Sequence, residues 1–191
     1  MTALHIKNMV CNRCIYMVDQ LFKEAGIIPL TVKLGEVQLA GAPDTTELVA
    51  VEKKLQEFGF ELLSDQKSRL IEKIKTTAIE YIQQHSQPDD KGPVFSEFLS
   101  ASLLRDYSYL SKLFSEAEDI TIEKYLIRQK IEKVKEWLSY DELSLSEMAY
   151  RLGYSGVAHL SSQFKKTTGF TPSVFRKMKD HHRRSLDEVG R

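Results

Sequence analysis

One stretch occurs twice in this chain, 50 residues apart and without a gap, and it constrains the fold more than any other feature. Ser96, Glu97, Leu110, Ser111, Phe114 and Thr121 recur as Ser146, Glu147, Leu160, Ser161, Phe164 and Thr171, and Tyr125 matches Phe175 in kind. The second copy, Ser146 to Lys166, predicts helix, tight turn, helix. Ser146 and Glu147 open an apolar-periodic run of Met148, Ala149 and Leu152. Gly153 closes it, because glycine reaches positive φ without steric cost. Val157, Leu160 and Phe164 then share one face of a second helix. Ala158, His159, Ser161, Ser162, Lys165 and Lys166 lie between them. In the first copy Asp106 is the expected N-cap and Tyr109, Leu110 and Phe114 the buried side. Ser108, Ser111 and Lys112 form its polar face.

Ile122 to Leu138 separates the copies with a long amphipathic pattern: Tyr125, Leu126, Ile131, Val134 and Leu138 on one side, Lys and Glu on the other. A helix of ~17 residues spans about 25 Å. It would hold two such helices roughly one turn of DNA apart, ~34 Å, so that both enter major grooves on one side of the duplex. Small polar groups approach base edges and lysines meet phosphates. The expected DNA contacts are therefore Ser108, Ser111 and Lys112, then Ala158, His159, Ser161, Ser162, Lys165 and Lys166, with Arg176 on phosphate. Net charge is +0, but residues 1–104 carry 11 basic and 14 acidic side chains against 16 and 13 for residues 105–191. The positive field is local to the C-terminal part, where a DNA surface needs it.

Leu152-Gly153-Tyr154-Ser155, His159-Leu160-Ser161, Phe164 through Ser173, and Phe175-Arg176 resemble the AraC/XylS type of DNA-binding domain. The resemblance covers about Lys67 to Lys179 and implies an all-α domain over 65–180. Its two helix-turn-helix units, about 94–118 and 144–168, are joined by a helix at about 122–138. The first copy departs from the family at Asp119, where glycine is usual, and in a longer loop over Pro88 to Pro93. Many proteins of this type dimerise through a sensor domain, so a homodimer is the implied option.

The first 64 residues alternate differently. Leu4 to Lys7 reads as a strand, Ile15 to Ala25 as a helix, Ile28 to Leu34 and Glu36 to Ala40 as strands, Leu48 to Phe58 as a helix and Phe60 to Leu63 as a strand. That order, βαββαβ, is ferredoxin-like, so the chain as a whole is expected to be α+β, with 1–64 as a sensor domain. Leu70, Ile71, Ile74, Ala78, Ile79 and Ile82 trace one face of the next helix, with Glu72, Lys73, Lys75 and Glu80 outside. The only cysteines, Cys11 and Cys14, are too close in sequence to staple a fold, which points to a metal or redox site. Met9-Val10-Cys11-Asn12-Arg13-Cys14 between the first strand and helix, with Gly59-Phe60 after the second helix, resembles the metal-binding loop of heavy-metal-associated domains. Glycine usually precedes the methionine there and a hydroxyl residue the first cysteine; Asn8 and Val10 occupy those places. Two thiolates suit linear Cu(I), whereas Zn(II) needs more ligands. Alternatively, Arg13 and Cys14 at a helix N-terminus would hold a small anionic metabolite.

These features together predict a transcription regulator that binds double-stranded DNA and a small effector. The competing class is a metal chaperone or trafficking protein with a helical partner-docking domain; the repeat and the basic C-terminal third speak against it. No Ser-His-Asp set, phosphate-binding glycine loop or paired acids suggest an enzyme. No apolar run approaches the ~20 residues of a membrane span and no signal peptide is visible, so a cytoplasmic location is expected. Residues 181–191, with His181, His182, Arg183 and Arg184, read as a basic tail.

Overall fold

Alternation of apolar and polar residues decides the first sixty positions. In β1 (Thr2–Lys7) and β3 (Glu36–Leu39), Ile6, Val37 and Leu39 point to one face and His5 and Glu36 to the other. The apolar face packs against α1 (Asn12–Glu24) and α2 (Thr45–Glu57) through Val18, Leu21, Phe22, Val51 and Leu55. With β2 (Thr31–Lys33) and β4 (Glu61–Leu63) the sheet runs β2-β3-β1-β4, every neighbouring pair antiparallel. A computed structural model of the chain describes residues 1–85, 92–140 and 143–178. It divides into two units, Met1–Thr76 and Thr77–Arg191. The tail at 181–191 and most of the 88–93 loop lie outside the described residues.

Two elements of the first unit differ from expectation. The strand expected over Ile28 to Leu34 is confined to Thr31–Lys33. Pro29 has no N–H to give a ladder, and Ile28 is 78% exposed. The first helix starts at Asn12 rather than Ile15, so Cys11 is its cap and Cys14 lies in its first turn. At α2 the start is sharp: Asp44 Oδ1 accepts the Glu47 N–H at 2.8 Å and Glu47 Oε2 accepts the Asp44 N–H at 2.8 Å, a capping box.

The polar face of the sheet meets the first half of α3 (Gln66–Gln84). Lys73 Nζ lies 3.5 Å from Glu36 Oε2, and Arg69 Nε donates to the Leu63 carbonyl at 3.1 Å. Gly35 turns β2 into β3 at φ +75°, a conformation that favours glycine; a Cβ there would also come within 3.2 Å of Thr76 Cγ2, which would have to give way by a few tenths of an ångström. Glu72, expected on the solvent side, is buried. The unit division therefore falls inside α3 and not at the Ser64 junction.

In the second unit α4 (Phe95–Leu103) and α5 (Tyr107–Glu118) precede α6 (Ile122–Tyr140); α7 (Leu145–Arg151), α8 (Val157–Thr168) and α9 (Pro172–Lys177) follow it. The repeat survives to the level of caps and rings. Asp119 and Gly169 end α5 and α8 in the left-handed region, at φ 55° and 84°. Thr121 Oγ1 accepts the Lys124 N–H at 3.2 Å, and Thr171 Oγ1 the Val174 N–H at 3.3 Å. Phe114 and Tyr125 meet edge-on at 5.5 Å and 63°; Phe164 and Phe175 meet at 5.5 Å and 75°. α7 starts one position before Ser146: its cap is Ser144, in a capping box with Glu147. α6 is buried along much of its length and carries an ion pair, Glu132 to Lys135, at 2.7 Å with both side chains under 10% exposed.

Candidate nucleic-acid interface and cysteine loop

Leu160 and Phe164 anchor α8 and are fully buried, as Leu110 and Phe114 are in α5. What the two helices show to solvent is therefore fixed. On α8 it is Ala158, His159, Ser162, Lys165 and Lys166, with Ser161 half-buried; on α5 it is Ser108 and Lys112, with Ser111 half-buried. Two residues expected inside are outside. Val157 is 36% exposed, since side chains lean toward the helix N-terminus and no turn precedes it there. Tyr109 is 52% exposed, one residue out of register with the Leu110–Phe114 stripe. It aligns with His159, so each helix shows a ring at the same place; the 50-residue offset alone could have identified it.

The exposed ring on α8 is fixed by its neighbours. Ser155 Oγ and His159 Nδ1 are 3.1 Å apart, and the Tyr154 ring meets His159 edge-on at 5.1 Å and 89°. Tyr154 is itself half-buried, and that burial pushes its phenol up to about 12. Lys130 of α6 donates to the Leu152 carbonyl at 2.7 Å, with Nζ 5.7 Å from the Tyr154 ring centroid. Burial holds this lysine below its ordinary pKa. The turn before α8 is thus fastened to α6. On the other copy the Tyr107 hydroxyl donates to the Glu123 carboxylate, tying α5 to α6; burial and then that carboxylate hold the phenol above its usual value.

Charge divides the copies. α8 closes on Lys165 and Lys166 with no acid, whereas α5 follows Lys112 with Glu116 and Glu118. Arg176, expected on phosphate, gives Nη2 to the Leu143 carbonyl at 3.1 Å. It pins the stretch before α7.

The cysteine loop is built from its first residue. Asn8 sits at φ +71°, a region open to glycine and tolerated by asparagine. Its N–H donates to Glu72 Oε1 at 2.9 Å and its Nδ2 to the Gly59 carbonyl at 2.8 Å. Met9 is fully buried beneath. Cys11 is the N-cap of α1, and its Sγ is 3.5 Å from Cys14 Sγ. Cys14 packs on the core of the first unit; Arg13 is exposed. Burial raises the Cys11 thiol, but hydrogen bonds from Cys14, the Arg13 backbone and the Arg13 charge outweigh it and leave the thiol below its ordinary value. Burial, together with the Cys11 sulfur, pushes Cys14 up. Among the described residues no three His, Cys, Asp or Glu side chains come together as a metal site.

Asn8→Val is expected to lower stability by about 1–2 kcal/mol through the left-handed penalty alone. Asn8→Gly should cost less than 1 kcal/mol, the Gly59 bond being lost while the backbone relaxes. Urea unfolding of the full chain measures both.

Residues 99–178 match a family model described as a helix-turn-helix domain. That match takes in both repeats from Leu99 onward. The Msm operon regulatory protein of Streptococcus mutans is 31% identical to it over 70 residues, 37% of this chain and 25% of that protein. Regulatory protein PocR of Salmonella typhimurium is 28% identical over 99 residues, 52% of this chain and 31% of that protein. The chain thus spans under a third of the length of these relatives. Among solved structures, the C-terminal domain of AraT, a response regulator from Geobacillus stearothermophilus, is 29% identical with a TM-score of 0.46, covering 62% of this chain and 97% of that one. Among the described residues no helix is long and apolar enough to cross a membrane.

Proposed function

We propose that this chain is a sequence-specific transcription regulator whose helix-turn-helix domain binds double-stranded DNA through α5 and α8 and whose first unit senses an effector. One observation carries the DNA reading: two helices with matching buried Leu–Phe anchors each turn a short-chained, lysine-bearing face outward. Ser108, Ser111 and Ser161 to Ser162 supply hydroxyls for base edges, Ala158 a methyl contact, and Lys112, Lys165 and Lys166 phosphate contacts.

For the first unit, the βαββαβ order and the Met9 to Cys14 loop support a ferredoxin-like, heavy-metal-associated type of domain. The loop's two thiols suit a soft, two-coordinate ion such as Cu(I); zinc would need further ligands, which the described residues do not bring to the pair. Cys11 and Cys14 would be the residues that hold such an ion. It would alter DNA binding only by binding two states of the protein with different affinity.

The DNA reading is tested by selecting bound fragments from a sheared genomic pool with the full chain. Recovered sites are expected to share two short elements about one helical turn apart. Recovery of unrelated fragments, at affinities equal to bulk DNA, overturns it.

A further inference from the structure

We propose that Cys11 and Cys14 form a dithiol–disulfide exchange site that takes small-molecule disulfides as substrates. Four observations converge. The two sulfurs are already in contact at 3.5 Å, and a disulfide needs them at about 2.05 Å, within reach of a side-chain rotation. They sit three residues apart where the chain enters α1, Cys11 at the cap and Cys14 in the first turn. They are not equivalent: Cys14 packs on the apolar core, while Cys11 stands ahead of the helix at its cap. The loop that holds them is fixed by Asn8 on Glu72 and Gly59, and by buried Met9.

The chemistry balances without a metal. The Cys11 thiolate attacks one sulfur of a disulfide RS–SR, forming Cys11–S–S–R and expelling RS⁻, which takes up a proton. The Cys14 thiolate then attacks the Cys11 sulfur, closes the intramolecular disulfide and expels the second RS⁻. The protein gives up two electrons and two protons; the substrate becomes two thiols. Cys11 is the attacking residue because it lies outside the core. Cys14 resolves because its sulfur packs on the core within 3.5 Å of Cys11 Sγ.

The test uses the full chain, reduced, stripped of metal with a chelator and held under argon, then exposed to oxidised glutathione. Wild-type protein is expected to lose both free thiols, to fall in mass by about 2 Da and to remain free of glutathione adduct. Cys14→Ser should stop at one glutathione adduct on Cys11. Cys11→Ser should react at least roughly tenfold more slowly than Cys14→Ser. Persistence of two free thiols in the wild-type chain overturns the proposal. So does a stable adduct in the wild type, or disulfides formed only between chains. Since no step requires DNA or metal, these readouts are separate from the test of DNA binding.

Discussion

Phe164→Ala is expected to destabilise the second unit by about 3–5 kcal/mol, a large fraction of what holds a domain of this size together. Phe164 is fully buried, its ring 5.5 Å from Phe175, in a cluster with Val134, Leu138, Met148 and Leu160. Truncation removes the ring's transfer free energy and leaves a cavity that α6 and α9 line on separate elements. No single shift closes it. The control is the next residue: Lys165→Ala, exposed on the same helix, should change stability by less than about 0.5 kcal/mol. Phe114→Ala is the equivalent lesion in the first copy, where the ring lies 5.5 Å from Tyr125. Urea unfolding of the full chain, followed by tryptophan fluorescence, reports on this unit because the single Trp137 sits in the same cluster as Phe164. An unchanged midpoint for Phe164→Ala would mean that α8 does not dock through this ring.

The parts of the fold that the sequence disclosed are those where one physical rule acts alone. Leu110, Phe114, Leu160 and Phe164 are four apart on their helices, and nothing competes with burying them. The departures come where two rules meet. Tyr109 is apolar by composition yet lies beside the buried stripe, and its 52% exposure follows from angular position rather than from residue type. Val157 has the correct periodicity but stands at a helix start, with no preceding turn to cover it. Glu72 and Lys135 read as solvated charges, yet each is under 10% exposed, because an element distant in sequence or a neighbouring charge supplies a partner. Long-range partners leave no local trace. By contrast the Ser144–Glu147 capping box is present in the sequence as a Ser-x-x-Glu pattern, two residues ahead of the start expected at Ser146 from the apolar run Met148, Ala149 and Leu152. The departures from the metal-loop pattern divide in the same way. Asn8 satisfies the backbone at φ +71° as glycine would, so its cost is small; nothing in the structure explains Val10.

The second large effect concerns charge rather than packing. Replacing Lys165 and Lys166 together by alanine should reduce the slope of log affinity against log salt by about 1.8, since each phosphate contact contributes roughly 0.9 for duplex DNA. Both side chains are exposed and neither anchors the fold, so the loss reports on DNA and not on stability. Replacing Lys112 should reduce the slope by about 0.9, and the affinity lost at low salt should be smaller, because Glu116 and Glu118 on the same helix already weaken the local field. Glu116→Lys, which copies Lys166 into the first helix, is then expected to tighten binding and steepen the slope by the same increment. Arg176→Ala should leave the slope almost unchanged, its guanidinium being held by the Leu143 carbonyl. Fluorescence-anisotropy titrations across a salt series on one selected fragment measure all four variants. An unchanged slope for the Lys165–Lys166 pair would remove α8 from the DNA. A loss with Arg176→Ala as large as with the lysines would mean that the Leu143 bond opens on binding and that α9 lies on the backbone beside α8.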